Sequence, residues 1–343
     1  MTKSLLDGAD LKLGLFSANC SSGMAVTKIE DRWKATWDDN LALGRLADEV
    51  GIDFMLPIAR WIGYGGDTNF HEGVLDPVAL AAGLLAQTER IFVFATIHTA
   101  FTHPLVAAKA MATVDQIGKG RAGLNIVAGW NKPEYDAIGL TFDPVGTRVR
   151  RMEEAVAVLK SCFADEVFSF SGEHYTITEL DGRPKPIQRP HPPFMIGGGG
   201  RRTLEFAARE ADTVGLAPRI LPGVKGDPRS ITVAATEEKI GWIRKAAGER
   251  FDQLELNVYP SMSPIIVTDH ARAEAVTLAA RLEQRTGHAV SPDELLESPH
   301  VFIGSISGLA EKLIGLRQRL GISSVMIGEP DELAPLVERL AGS

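Results

Sequence analysis

Eight short apolar, β-branched runs punctuate this chain, and segments of helical periodicity separate most of them. That alternation constrains the fold more than any other feature, because parallel strands need a crossover after each one and a helix is the usual crossover. The strands are predicted at Leu11–Ser17, Asp53–Ala59, Ile91–His98, Ala122–Ala128, Phe194–Gly198, Thr213–Ala217, Leu254–Tyr259 and Ser324–Ile327. Helices are predicted at Trp37–Val50, Pro77–Gln87, Pro104–Ile117, Glu153–Phe163, Arg201–Arg209 and Gly308–Leu320. In the first of these, Leu41, Leu43, Leu46, Ala47 and Val50 come close to helical spacing. The second and third open on proline, which a helix tolerates in its first turn because the N–H there has no intrahelical partner. Eight such units favour an α/β fold of the (β/α)8 TIM-barrel type over a doubly wound sheet. No Pro/Gly/Ser linker divides the 343 residues, so residues 1–343 are expected to form a single domain.

Two connections exceed the simple alternation. Within 165–193, Phe168–Tyr175 reads as a hairpin, and Pro184, Pro186, Pro190, Pro192 and Pro193 hold an extended lead into the fifth strand. The stretch 263–302 is long and mixed, with a polar helix near Ala271–Arg285. Long connections inside compact domains are commonly lids or binding loops, and 263–302 is read as a lid candidate.

A hydrophobic content of 45% supports a sizeable core, and a net charge of −8 with dispersed Lys and Arg argues against nucleic acid or an anionic membrane surface as partner. Apolar runs fall well short of the roughly 18 residues that span a bilayer. No signal-peptide pattern is expected at the N-terminus, and Cys20 and Cys162 fit neither a disulfide framework nor a zinc motif. The expectation is a cytoplasmic enzyme.

In a parallel barrel, chemistry sits at the C-terminal ends of the strands. Collecting the residues there gives Ser17–Cys20, Ile58–Trp61, Thr96–Thr99, Asn125–Trp130, Gly197–Gly200 and Pro218-Arg219. This set is rich in hydroxyls, amides and aromatics and has no His/Asp/Glu cluster, so no metal site is expected. Asn125 closes an apolar strand and needs hydrogen-bond partners, and Gly129-Trp130 follows as an aromatic shelf for a planar cofactor. Thr96 and His98 end the third strand, where each reads equally as a functional group or as an ordinary strand threonine and a satisfied histidine. Arg60 and Trp61 carry the same two readings, site or surface. Gly198, Gly199, Gly200 and Arg201 open a helix, an arrangement suited to a phosphate, although a flexible turn for helix-on-strand packing would look similar. Cys20 has no adjacent activating group and reads as a small buried apolar residue.

Taken together, Leu46–Phe54, Gly63-Tyr64-Gly65-Gly66, Pro104–Lys109, Ala112–Ile117, Gly120-Arg121 and Asn125–Tyr135 resemble the bacterial luciferase-like, flavin-dependent monooxygenase superfamily. The similarity covers nearly the full chain, and Ser22–Arg32 is closest to the branch that acts on dimethyl sulfone. The neighbouring branches act on alkanesulfonates or pyrimidines. The resemblance implies an FMNH2- and O2-dependent monooxygenase of a small organosulfur or N-heterocyclic substrate, working through a flavin peroxide. A separate NAD(P)H:flavin reductase would supply the reduced FMN, and the chain would assemble as a homodimer or homotetramer. It would place Ala59, Arg60, Thr96, Asn125, Glu134 and Arg148 around the flavin and Gly198–Arg201 on its phosphate, with Asn125, Thr96, His98 and Trp130 nearest the chemistry. Val149 departs from the tyrosine often found after that arginine. The second half, from Arg148 through Phe170–Tyr175 to Ile196–Arg202, looks more like the F420-dependent branch, so a hydride-transferring F420 oxidoreductase is the alternative reading. A non-catalytic flavin-binding protein is a further one.

Overall fold

The computed structural model describes residues 11–24, 26, 28–30, 32–221, 225–327, 335–337 and 340. Eight parallel strands close a barrel: β1 (Lys12–Phe16), β2 (Phe54–Leu56), β3 (Phe92–His98), β4 (Ala122–Val127), β5 (Phe194–Gly198), β6 (Thr213–Leu216), β7 (Glu255–Val258) and β8 (Ile322–Ile327). Their order around the barrel is the chain order, with β8 returning beside β1. All eight lie where the apolar runs predicted them. The helices are α1 (Trp37–Val50), α2 (Pro77–Leu85), α3 (Pro104–Ile117), α4 (Lys132–Ala137), α5 (Val145–Phe163), α6 (Arg201–Glu210), α7 (Val233–Ala247), α8 (Ala271–Thr286), α9 (Pro292–Glu297) and α10 (Ile306–Leu320). Helix α5 starts eight residues before its expected position, because Pro144 sets its N-terminal boundary and Arg148 and Val149 belong to its buried face. Helices α4, α7 and α9 lie outside the predicted set.

The chain divides into two compact units. The first comprises Ser17–Glu49 and Asp53–Met195. Strand β3 is buried along its whole length and pairs with β4 from Val93↔Ala122 to His98↔Val127, a register that sets Thr96 beside Asn125. Opposite the site, polar side chains tie down the strand entries. Arg121 donates to the carbonyls of Leu85, Thr88 and Ile91 and to Thr88 Oγ1, and Asp48 accepts from the N–H groups of Glu89, Arg90 and Ile91. The expected hairpin is present as Phe168–Ser171 paired with Thr176–Leu180. It packs Tyr175 and Ile177 on Ala155 and Val158 of α5. The Glu154 carboxylate receives the N–H groups of Glu173, His174 and Tyr175 at the tip of the hairpin. Asp115 of α3 accepts from the Ile187 and Gln188 N–H groups, which fixes the proline-rich lead.

The second unit holds Val50–Ile52 together with the described residues of 8–16 and 196–343. At the start of its strands, Lys12 of β1 forms a buried ion pair with Glu255 of β7, and Thr213 of β6 donates to the same carboxylate. The long connection is a packed layer. Met262, Leu278, Leu282, Val290, Leu295, Val301 and Ile303 form an apolar core with Ile231, and a short parallel pair joins Ile266–Val267 to Ile303–Gly304. Lys312 of α10 donates to the carbonyls of Leu296 and Val301, both at 2.6 Å, and so staples this layer to the helix. No helix among the described residues is long and apolar enough to cross a membrane.

The ion pair at the strand entries carries a stability prediction. Lys12→Met leaves the Glu255 carboxylate buried without its counter-charge and is expected to cost about 3 kcal/mol. Arg150→Met, which breaks the exposed pair with Glu173, is expected to cost under about 1 kcal/mol. Urea unfolding of both variants checks the contrast, and equal costs would contradict it.

Candidate active site

The site of the first unit is assembled on a relay of hydrogen bonds across the C-terminal ends of three neighbouring strands. Thr96 Oγ1 donates to the Pro57 carbonyl at 2.8 Å, just past β2, and Asn125 Nδ2 donates to Thr96 Oγ1 at 2.9 Å. The hydroxyl therefore serves as both acceptor and donor, and the Asn125 amide is turned so that its Oδ1 remains as an acceptor. Thr96 is buried between Ala95 and Ile97, and Asn125 lies between the fully buried Leu124 and Ile126. These two predicted residues meet as the register requires.

Asn19 braces the same corner. Its amide exchanges both bonds with the Ile58 backbone, donating to the carbonyl at 2.7 Å and accepting from the N–H at 2.9 Å, and it also donates to the Leu75 carbonyl. Nearby backbone adopts left-handed φ at residues other than glycine: Ser17 at 54°, Ser22 at 68°, Asn69 at 36° and His71 at 61°. The two segments carrying these angles meet, since the Ser21 N–H donates to the Gly73 carbonyl at 2.7 Å and His71 Nε2 lies 2.8 Å from the Gly23 carbonyl. Such strain costs of order 1 kcal/mol or more per residue and concentrates at functional sites.

The turn after β4 is held from behind. Gly129 has φ +85°, and a Cβ there would overlap the Tyr135 hydroxyl and crowd His98 Cε1. The absence of a side chain is therefore required by packing as well as by the backbone angle. Tyr135 donates to the Ala128 carbonyl at 3.1 Å. Arg148, expected to border a flavin, donates to the carbonyls of Gly129 and Asp143 and lies over the Phe142 ring at 4.1 Å. Glu134 is 1% exposed and accepts from the Trp61 N–H at 3.0 Å, so it ties this turn to the exit of β2. In this arrangement Arg148 and Glu134 hold the Gly129–Tyr135 turn in place. Trp130 is 38% exposed.

Arg60 dominates the electrostatics. Its guanidinium lies 4.4 Å from the Tyr64 ring centroid and 5.3 Å from that of Trp130. Burial, and after it the charge on Arg60, lowers the pKa of His98 to about 4. Burial and Arg60 likewise lower His71 to about 4, against the bond to the Gly23 carbonyl. Burial pushes the Cys20 thiol up to about 12, and Arg60 only partly offsets it. Near neutral pH both imidazoles are uncharged and Cys20 is a thiol, in keeping with its reading as a small buried residue. Nothing in the sequence singled out His71 or Asn19, because their roles depend on segments brought together from 39 or more positions apart. No group of three or more His, Cys, Asp or Glu among the described residues is placed to hold a metal ion.

In the second unit, Gly200 is the N-cap of α6, with no side-chain cap, and a Cβ at Gly200 would meet nothing within 4 Å. No side chain caps the first N–H groups of that helix, an arrangement that suits an anion. Gly199 has a different reason to be glycine, since a Cβ would overlap the Pro218 carbonyl. Arg201 pairs with Glu205 at 2.7 Å.

Comparison with known proteins adds a family. The model for luciferase-like monooxygenases matches residues 11–324. The FMNH2-dependent dimethylsulfone monooxygenase of Pseudomonas putida is 36% identical over 226 residues, covering 66% of this chain and 61% of that protein. The protein of the same name from Pseudomonas fluorescens is 29% identical over 338 residues, covering 93% of this chain and 89% of that one. The match to the first therefore spans less than two thirds of its length. Among solved structures, EDTA monooxygenase from Chelativorans sp. BNC1 has the same fold, with a TM-score of 0.75 at 17% identity over 96% of this chain and 92% of that one.

The two depressed histidines give a pH prediction. The unfolded chain takes up protons below about pH 6.5, whereas His71 and His98 refuse them until about pH 4. Their contribution is complete above pH 6.5 and is lost as pH falls through that window, by up to about 3 kcal/mol for each ring. Urea unfolding between pH 7.5 and 4.5 should show this loss, and His98→Gln should show a shallower one. Parallel curves for the two proteins would remove His98 from the account.

Proposed function

We propose a function from one established premise: the chain belongs to the luciferase-like monooxygenase family. It is read as an FMNH2- and O2-dependent monooxygenase that oxygenates a small organic molecule, with an organosulfur compound, a sulfone first, favoured over an N-heterocycle. The names of the two Pseudomonas relatives support both the cofactor and the substrate class. A separate NAD(P)H:flavin reductase would supply the reduced cofactor. The resemblance also supports a cytosolic homo-oligomer.

The residues fit the cofactor. Asn125 and Thr96 offer a fixed pair of polar groups among apolar strand residues, and the Ala59-Arg60 peptide follows the Ile58 segment that Asn19 braces. In the second unit, the uncapped start of α6 at Gly198, Gly199, Gly200 and Arg201 suits a phosphate. When bound, reduced FMN supplies the electrons that activate O2. The side chains around it position and shield. Asn125 presents its Oδ1, held by Thr96, toward the reacting region. Trp130 gives a flat apolar surface there. The buried residues Ala95, Ile97, Leu124 and Ile126 keep water from the strand interiors. A strong general base is not part of this reading. His98 stays neutral, Cys20 stays protonated, and the Glu134 carboxylate is committed to Trp61. Shielding and orientation are what oxygen chemistry on a flavin needs from its protein.

The observation that carries the proposal is the relay from Pro57 through Thr96 to Asn125. Asn125→Ala removes its end. With dimethyl sulfone, reduced FMN and O2, product formation should fall by about 100-fold, the scale seen when one positioned polar donor is deleted from a site. Thermal unfolding should stay within a few degrees of the parent. Undiminished turnover would take Asn125 out of the mechanism.

A further inference from the structure

Buried polar groups in folded proteins nearly always find a partner, and one corner of the first unit departs from this. Nε and Nη1 of Arg60, Nδ1 of His71 and Nδ1 of His98 are all buried without a hydrogen-bond partner among the described residues. They belong to one neighbourhood. The Arg60 guanidinium lies over the Tyr64 and Trp130 rings, the Tyr64 ring is 6.1 Å from that of His71, and Gly129, next to Trp130, lies against His98 Cε1.

The chemistry of these groups defines what would complete them. His71 lies with Nε2 at hydrogen-bond distance from the Gly23 carbonyl, so in the neutral ring Nε2 is the donor. Both rings are neutral near pH 7, so the cation of this corner is the guanidinium. The Glu134 carboxylate accepts from the Trp61 N–H. The aromatic faces of Tyr64 and Trp130 relieve part of the cost of burying the cation, since a ring face attracts a guanidinium. Tyr64 also shares a side-chain hydrogen bond with Arg60, and Nε and Nη1 keep no partner among the described residues. The partner that Nε and Nη1 of Arg60 lack is thus an acceptor, whereas His71 Nδ1, itself an acceptor in this tautomer, is not completed by it. Around it the site offers apolar walls, with Trp61 58% and Tyr64 49% exposed. A molecule that joins accepting oxygens to short apolar substituents matches both demands.

We propose that the Arg60 guanidinium, clamped between Tyr64 and Trp130, is the substrate-recognition group of this site and takes the sulfonyl oxygens of a small sulfone. This assignment rests on the monooxygenase reading and names the contact that selects its substrate. The Ala59-Arg60 peptide stays with the cofactor, and the Arg60 side chain serves the substrate. Glu134, through the Trp61 N–H, is a positioning residue for Arg60.

Equilibrium binding separates the two roles. Protein saturated with reduced FMN under anaerobic conditions is titrated with dimethyl sulfone, dimethyl sulfoxide and dimethyl sulfide, and the change in flavin absorbance is followed. The parent should rank them in that order, since the sulfone offers two acceptor oxygens to Nε and Nη1, the sulfoxide one and the sulfide none. Arg60→Met should lower sulfone affinity by about tenfold or more, the scale of a lost hydrogen bond to a charged group, and flatten the ranking. Arg60→Lys should restore part of it. The affinity for reduced FMN should change by less than about twofold, because the lost bonds go to the substrate. An unchanged sulfone affinity in Arg60→Met overturns the assignment. So does a loss of FMN affinity as large as the loss for sulfone, which gives the side chain to the cofactor. A parent protein that binds no reduced FMN overturns the functional reading, and the sulfonyl assignment falls with it.

Discussion

The pairing of β3 with β4 is the constraint on which the rest of the site depends. Parallel strands fix side-chain neighbours by register, and this register puts Thr96 next to Asn125. A shift of one residue would turn every side chain to the other face. With the register set, one hydroxyl can bond both the Asn125 amide and the Pro57 carbonyl, and three strand ends become a single polar unit. The surrounding strand residues are apolar and buried, so the amide has few other partners and its orientation is fixed.

The second organising fact is a partly buried cation. Arg60 lies against two aromatic faces, with Nε and Nη1 buried and without a hydrogen-bond partner among the described residues. Its charge adds to burial in keeping His71 and His98 neutral, while burial alone outweighs it at Cys20. The site thus combines a fixed amide, neutral rings and one guanidinium. Proton transfer by a side chain is poorly served by such a set, and binding of a polar, aprotic molecule is well served.

Most of the fold was legible in the sequence. The eight strands could be read because parallel strands buried on both faces are short, continuous apolar runs bounded by turns, and helices α1 and α3 could be bounded to the residue. Helix α7 escaped because its apolar positions are split into separate groups by Thr236, Glu237, Glu238 and Lys239. The pairing of Asn125 was legible because an amide at the end of an apolar strand needs partners, whereas Thr96 read equally as an ordinary strand threonine. Roles set by tertiary contacts were not legible. The bonds by which Arg148 and Glu134 hold backbone at Gly129 and Trp61 have no signal in one dimension. His71 and Asn19 carried no local signal, since their partners lie far off in sequence.

The most direct test of the central claim is an anaerobic titration of the purified protein with reduced FMN and, in parallel, with reduced F420. The account predicts saturable, tight binding of reduced FMN, much weaker binding of oxidised FMN, and no comparable binding of F420. Tight binding of reduced F420 with none of reduced FMN would contradict it and make the protein a hydride-transfer enzyme on the same barrel.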